Sequence, residues 1–396
     1  MKKRKNFQPR VFITALIVLL EILLIIGFFV CLIILPLGEY YAALPIIFLL
    51  IFDIVLSLFI ANTRVEADFK ISWLVIIIVF PIAGGVLYLL FANKMTTRRM
   101  KKKRINIIDK LMISQRPNSI KELNELKNEN EDASKIADYL YLSAYSGCYK
   151  NTEVSYYKIG DLSLKPMVEE LKKAKKFIFL EYFIMQSGHF FDSIFDVLKE
   201  KAKEGVDVRI IYDDFGCSSK MSSYFYLEVR KAGIKCYPFN FIRPFVDIRQ
   251  NNRDHRKIMV IDGVTGFTGG INLADEYINI GSKFGLWKDN CVMLKGPAVN
   301  GLTNLFLSIW NLLDNRTKKK DILKDFSIYS YDFNKAFDLR ESKISEGFVV
   351  PFGDEPFDGE EVGRNVFLGM INRANKYIYI TTPYLILDEE LICALR

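Results

Sequence analysis

Residues 251–277 read NNRDHRKIMVIDGVTGFTGGINLADEY, and this stretch decides the fold. Lys257-Ile258-Met259-Val260-Ile261 is a short β-branched and apolar run that predicts a buried strand, stopped by a turn at Asp262-Gly263. A hairpin through Asp262–Gly266 returns the chain as Phe267-Thr268 and then Gly269-Gly270. Side chains two apart on a strand share a face, so His255 and Lys257 can address one ligand together. The glycines permit close backbone approach, and the hairpin brings Asn272 to the histidine end of the partner strand. An imidazole, an ammonium and an amide suit a phosphoryl group, as nucleophile, charge clamp and neutral donor. Asp262 reads as the group that ties down the turn, ahead of a chemical role. His189, in a Gly-His-Phe-Phe turn, has no such company and reads as an ordinary loop residue.

Outward from the hairpin, strands alternate with amphipathic helices. Phe177–Phe183, Val206–Tyr212 and Lys235–Phe239 predict strands. Lys165–Lys175, Phe191–Glu204 and Tyr224–Ala232 predict helices, the last two closed by Gly205 and Gly233. This order argues an α/β sandwich on a mixed, largely parallel sheet. Residues 171–180 (LKKAKKFIFL) align without a gap on residues 371–380 (INRANKYIYI), each a helix end running into an apolar strand. The body divides as a first half over 146–340 and the start of a second over 341–396, with 105–145 as a polar helical connector.

The 396 residues are 51% hydrophobic with a net charge of +8. Mean hydropathy is +0.14, high for a soluble enzyme. The apolar excess sits in residues 11–37, 41–61 and 71–92, each the length of a membrane-crossing helix. The third contains Pro81, Gly84 and Gly85 and is a candidate for a kink or a re-entrant turn. The reading is a membrane region over 1–104 and a multi-pass membrane protein. Residues 1–10 carry +5 and residues 94–104 carry +7, while residues 105–396 carry −1. A basic nucleic-acid-binding body is disfavoured. With three crossings the positive residues divide evenly and leave the orientation open. The 94–104 cluster serves as a topology anchor, a seat for anionic headgroups, or both. Glu21 and Asp53 fall inside apolar segments and read as polar contacts between helices. The six cysteines include no CxxC, and with two histidines a zinc site of ordinary spacing is excluded.

His255, Lys257 and Asp262 in HxKx4D, followed by Gly269-Gly270-Ile271-Asn272, resemble the phospholipase D superfamily. The wider context resembles its bacterial cardiolipin synthase branch. That context is Glu181-Tyr182-Phe183, Gly205–Arg209, Asp213–Ser218, Asn252–Lys257, Asp275–Tyr277, Trp287–Asp289, Gly296–Val299, Trp310 and Thr382–Tyr384, with Pro81 and Tyr88 near the start. Gly270 stands where many superfamily members have Ser. The resemblance implies metal-free and cofactor-free phosphatidyl transfer on phosphatidylglycerol in an anionic membrane. His255 is then the nucleophile or its partner acid, Lys257 and Asn272 hold the phosphate, and Asp289 is the candidate to orient the His255 ring. It also implies a second HxKx4D motif near residue 455, and no histidine follows His255. The expectation is a truncated chain with one half-site, largely inactive alone. Phospholipid hydrolysis and non-catalytic lipid binding are the alternatives.

Overall fold

A computed structural model describes residues 39–63, 67–81, 83–92, 98–242, 252–281, 285–314, 319–331, 346–355, 357 and 359–396, with Leu23, Gly27 and Val30. The apolar segment 11–37 lies largely outside this range, as do Glu21 and the first basic cluster. The chain divides into two compact units, Met1–Thr96 with Asn240–Asn252, and Thr97–Phe239 with Arg253–Arg396.

The first unit holds α1 (Glu39–Ala61), α2 (Ala67–Val79) and α3 (Ala83–Phe91). Leu56, Ile60, Ile77, Tyr88 and Ala92 form its small core. The 71–92 segment is two short helices and not one span, because Pro81 interrupts it. A helix of 13 residues is roughly 20 Å long, short of a 30 Å hydrocarbon layer. Among the described residues, no helix is long and apolar enough to cross a membrane. The three spans expected from the sequence are therefore not confirmed. Gly84 fits because a Cβ there would lie 2.5 Å from the Ile77 backbone. Asp53 is buried in this unit, with its Oδ1 against Gly85.

The second unit is built on a seven-stranded sheet. Its strands are β1 (Glu153–Tyr157), β2 (Phe177–Tyr182), β3 (Asp207–Asp213), β4 (Lys235–Phe239), β5 (Lys257–Ile261), β6 (Thr265–Gly269) and β7 (Cys291–Lys295), in the order β1-β7-β6-β5-β2-β3-β4. β2 and β5 are buried along their whole length, which explains their unbroken apolar reading. Only β2-β3 and β3-β4 pair in parallel, and the four other neighbouring pairs are antiparallel. The sheet is mixed as expected, but its parallel part is the smaller. Helical crossovers link only β2, β3 and β4, whereas β5 to β6 is a hairpin and β7 folds back beside it.

One face of the sheet is covered by α6 (Asp161–Lys173) and α7 (His189–Lys203), whose Met167, Leu171, Phe190 and Ile194 meet Ile178, Leu180 and Ile210, while α8 (Asp214–Ser218) and α9 (Phe225–Lys231) lead from β3 to β4. The other face is covered by α10 (Val299–Leu313), with α4 (Arg98–Glu129) and α11 (Lys319–Ile328). Phe179 of β2 stacks on Phe306 of α10 at 4.5 Å. The buried Arg209 guanidinium bonds Asp207 and Tyr329 between the rings of Phe179, Trp310 and Tyr329.

The connector reading of 105–145 needs revision. α4 starts at Arg98, inside the second basic cluster, and its Ile107 and Leu111 are core residues. α5 (Glu131–Ser143) then packs back on it. Within the cluster, Lys103 donates to the carbonyls of Leu312 (2.8 Å) and Asp314 (3.0 Å) at the end of α10, and Arg104 pairs with Glu355. A cation at a helix C-terminus meets carbonyls with no intrahelical partner, a structural use of these two charges.

The 371–380 stretch repeats only half of its counterpart. α12 (Val362–Asn372) ends where the alignment predicts, but residues 377–380 form no strand and Tyr379 is 86% exposed. An apolar run becomes a strand only beside a partner, and among the described residues none pairs with it.

Candidate phosphodiester site

The site forms where β5 begins and β6 ends. His255 precedes β5, and Lys257 is its first residue, opposite Tyr182 of β2. The antiparallel register sets Ile258 against Thr268, so Gly269, Gly270 and Asn272 arrive beside the histidine as the hairpin predicts. At Gly269, φ is +151 and a Cβ would lie 2.4 Å from the Asn290 carbonyl oxygen. At Gly270 a Cβ would lie 2.0 Å from Asp289 Oδ1. Close packing of the two glycines on residues 289–291 shapes the floor of an open cavity of about 420 Å³. His255, Lys257, Asn272, Tyr277, Trp287, Asp289 and Tyr384 are among its lining residues.

The Lys257 ammonium donates to the His255 carbonyl at 2.5 Å and lies 5.7 Å from the Phe183 ring centre. The His255 ring is 4.9 Å from Phe183 and 6.5 Å from Tyr384. Asn272 accepts from the Ile184 N–H (3.0 Å) and donates to the Tyr277 hydroxyl (2.8 Å). One amide proton remains for a ligand, and the carbonyl side is committed to the fold.

Electrostatics favour a neutral imidazole beside a cation. Burial on its inner side, and then the Lys257 charge, push His255 down to about 4, although its ring opens to the cavity. Burial pushes Lys257 down to about 8, with the charges of Asp254 and Asp289 acting in the opposite direction. Near pH 7 the lysine is mostly protonated and the histidine is not. That is the state a nucleophile and an anion clamp require.

Two residues of the expected site stand apart from the His255 ring, and Asp262 ties down the turn as its sequence reading has it. Asp262 lies at the far end of β5, roughly 16 Å of strand away. Its carboxylate accepts from the N–H groups of Lys175 (2.7 Å), Lys176 (2.7 Å) and Phe177 (2.8 Å), tying the hairpin to the start of β2. Asp289 lines the cavity, but its hydrogen bonds come from Trp287 Nε1 (3.5 Å) and the Asn290 N–H (2.8 Å). Among the described residues no bond joins it to the His255 ring, and its charge acts on Lys257.

The sequence reading gave no role to Asp213. This buried carboxylate accepts from Phe215 N and Gly216 N (both 2.9 Å) and from Asp254 N (3.0 Å). It joins the end of β3 to the residue before His255. Tyr277, Trp287 and Tyr384 were legible only as parts of a resembling motif. Among the described residues, no group of His, Cys, Asp or Glu is placed to hold a metal ion.

A mixed α/β sheet presenting one HxK motif, with an amide across a hairpin, defines a phospholipase D-like protein. Comparison with known proteins agrees. Residues 167–310 match the family described as "Cardiolipin synthase, PLD-like domain", and residues 46–93 match "Phospholipase_D-nuclease N-terminal". An uncharacterized protein of Streptococcus mutans is 38% identical over 86% of this chain and 70% of its own length. A cardiolipin synthase of Oceanobacillus iheyensis is 31% identical over 82% of this chain and 66% of its own. The major cardiolipin synthase of Bacillus subtilis is 29% identical, over 84% and 67%. The chain belongs to the cardiolipin synthase family of phospholipase D-like proteins. It spans about two thirds of the length of these relatives.

Proposed function

We propose that the chain carries one half-site of a membrane phosphatidyltransferase that joins two phosphatidylglycerols into cardiolipin and releases glycerol. The observation that carries this reading is the convergence of His255, Lys257 and Asn272 on one open cavity, with the Lys257 ammonium bonded to the His255 carbonyl. In this reading an imidazole attacks the phosphorus of the first lipid and forms a phosphatidyl-histidine. The P–O bond to glycerol breaks, and the leaving oxygen takes a proton from the histidine of a second HxK motif. The same group then takes the proton of an attacking hydroxyl on the second lipid, whose oxygen displaces the first histidine. His255 fills one of these two roles, Lys257 and Asn272 hold the non-bridging oxygens, and no metal ion or cofactor takes part. Asp254, and then Asp289, favour the charged form of Lys257 against its burial. A chain with a single HxK motif binds lipid and turns over little by itself.

The membrane seat is the first unit. Phe48, Ile51, Ile54, Leu58 and Phe59 of α1 and Ile78 of α2 are all more than half exposed, an apolar surface suited to hydrocarbon.

Vesicles of labelled phosphatidylglycerol test the proposal. Binding by the chain, lost in Lys257→Ala, is expected. Cardiolipin and free glycerol are expected when the chain is extended with the remaining segment of a relative. Phosphatidic acid as the product would assign hydrolysis instead, and binding unchanged by Lys257→Ala would refute the site.

A further inference from the structure

Two acids face each other beneath His255, away from water. Glu181 of β2 is fully buried, and Asp254, the neighbour of His255, is 5% exposed. Neither Glu181 oxygen has a hydrogen-bond donor among the described residues, and neither has Asp254 Oδ2. The charged groups around them are Arg256, Lys257, Glu355 and the buried Asp213, which accepts from the Asp254 N–H, with Asp354 beside Arg256. Arg256 Nη1 approaches Glu181 Oε1 only to 3.8 Å, and the same guanidinium is shared with the carbonyls of Leu305 (3.4 Å) and Asp354 (3.0 Å). Two buried carboxylates both ionised would have no proton between them and, besides the Lys257 ammonium acting on Asp254, only the divided Arg256 guanidinium, an arrangement that desolvation opposes. A single shared proton resolves both deficits, since one oxygen becomes a donor and the other keeps its role as acceptor.

We propose that Glu181 is held as the neutral acid with its proton donated to Asp254, and that this buried pair is the device that fixes the segment carrying His255. The inference rests on the reading of His255 as the reactive group of the site. Glu181 is a positioning residue that acts through Asp254. The geometry around Asp254 completes the clamp. Its N–H donates to Asp213 Oδ2 at 3.0 Å, and its Oδ1 accepts from the Arg256 N–H at 3.2 Å. The residue before His255 is thus held through its amide, through its side chain to the residue after His255, and through Glu181 to β2. Burial first, and then the Asp254 charge, raise the Glu181 carboxyl well above the carboxylate range.

Two measurements on the full chain in detergent test this. The first is thermal stability against pH. A carboxyl raised on folding keeps a proton that the unfolded chain has lost, so stability falls as pH rises above the ordinary carboxylate range. Glu181→Gln keeps a neutral donor and is expected to fold and to lose that part of the slope. A slope unchanged in Glu181→Gln would overturn the neutral-acid assignment. The second is the titration of His255 by NMR, with His189 as internal reference. Glu181→Gln is expected to leave the His255 pKa near its native value, and Glu181→Ala to move it toward an exposed imidazole's. An unmoved His255 in a folded Glu181→Ala chain would overturn the positioning role. Should Glu181→Ala fail to fold, Asp254→Asn decides. Removing the acceptor charge is expected to bring the Glu181-dependent slope to lower pH, and an unmoved slope would overturn the pairing. Neither readout needs lipid turnover, so failure of the transferase reading and failure of this inference are separable.

Discussion

Lys257 donates to the carbonyl oxygen of His255 at 2.5 Å, so the ammonium proposed to clamp an anion also holds the backbone of the histidine proposed to react. An ammonium has three donors, and this bond uses one. The arrangement costs stability, because the charge is taken out of water and Lys257 is only 6% exposed.

Lys257→Met is therefore expected to stabilise the fold while removing lipid binding. A lysine depressed to about 8 penalises the folded state below that pH, and the penalty is relieved as pH rises toward the unfolded value. Allowing for the lost hydrogen bond, the gain at pH 7 is about 1–2 kcal/mol. Denaturation in urea at pH 7 and at pH 9.5 checks it. The wild type gains stability between the two, and the variant gains less.

His255 acts with the same sign in a lower pH window. Its folded pKa lies below the unfolded one, so the native state loses stability as pH falls from the ordinary imidazole range to about 4. His255→Gln should flatten that loss. Melting temperatures between pH 7 and pH 4, compared with the wild type, measure the difference.

Asp262→Ala should destabilise the fold by about 2–4 kcal/mol, since three backbone N–H groups lose a charged acceptor. The residue also has φ of +52, which alanine tolerates poorly. Chemical denaturation gives the magnitude. The His255 titration should be unchanged in the folded variant, because Asp262 stands at the other end of β5.

Gly216→Ala should disturb the site from outside it. A Cβ there would lie 2.1 Å from the Phe183 carbonyl oxygen, a backbone atom that has no room to yield. The expected cost is about 1–3 kcal/mol. Phe183 would also leave its place 4.9 Å from His255, and the histidine chemical shift would report that movement.

The hairpin was readable from the sequence because strand, turn and motif coincide there. Lys257–Ile261 forms β5 with the bounds expected, and Asn272 reaches the histidine end. Lys235–Phe239 was equally plain. The parallel share of the sheet was overestimated because β1 and β7 carry weak alternation and were not read as strands, and both pair antiparallel. Segment 71–92 has the hydropathy of one span because the average runs over Pro81, and the two helices part at the proline where a kink or re-entrant turn is expected. The roles of Asp213 and Glu181 depend on contacts across 41 and 73 residues of chain, which no local pattern encodes. Asp289 was assigned to His255 from the general need of an imidazole for an acceptor, and the structure gives its bonds to Trp287 and Asn290.

The central claim is that His255, Lys257 and Asn272 together receive a lipid phosphodiester. The most direct measurement is the histidine NMR titration of the full chain in nanodiscs of a zwitterionic lipid, repeated with phosphatidylglycerol. The account predicts that phosphatidylglycerol shifts the His255 resonance and raises its pKa above about 4, leaves His189 unmoved, and does neither in Lys257→Met. Identical His255 titrations in the two lipids would contradict it.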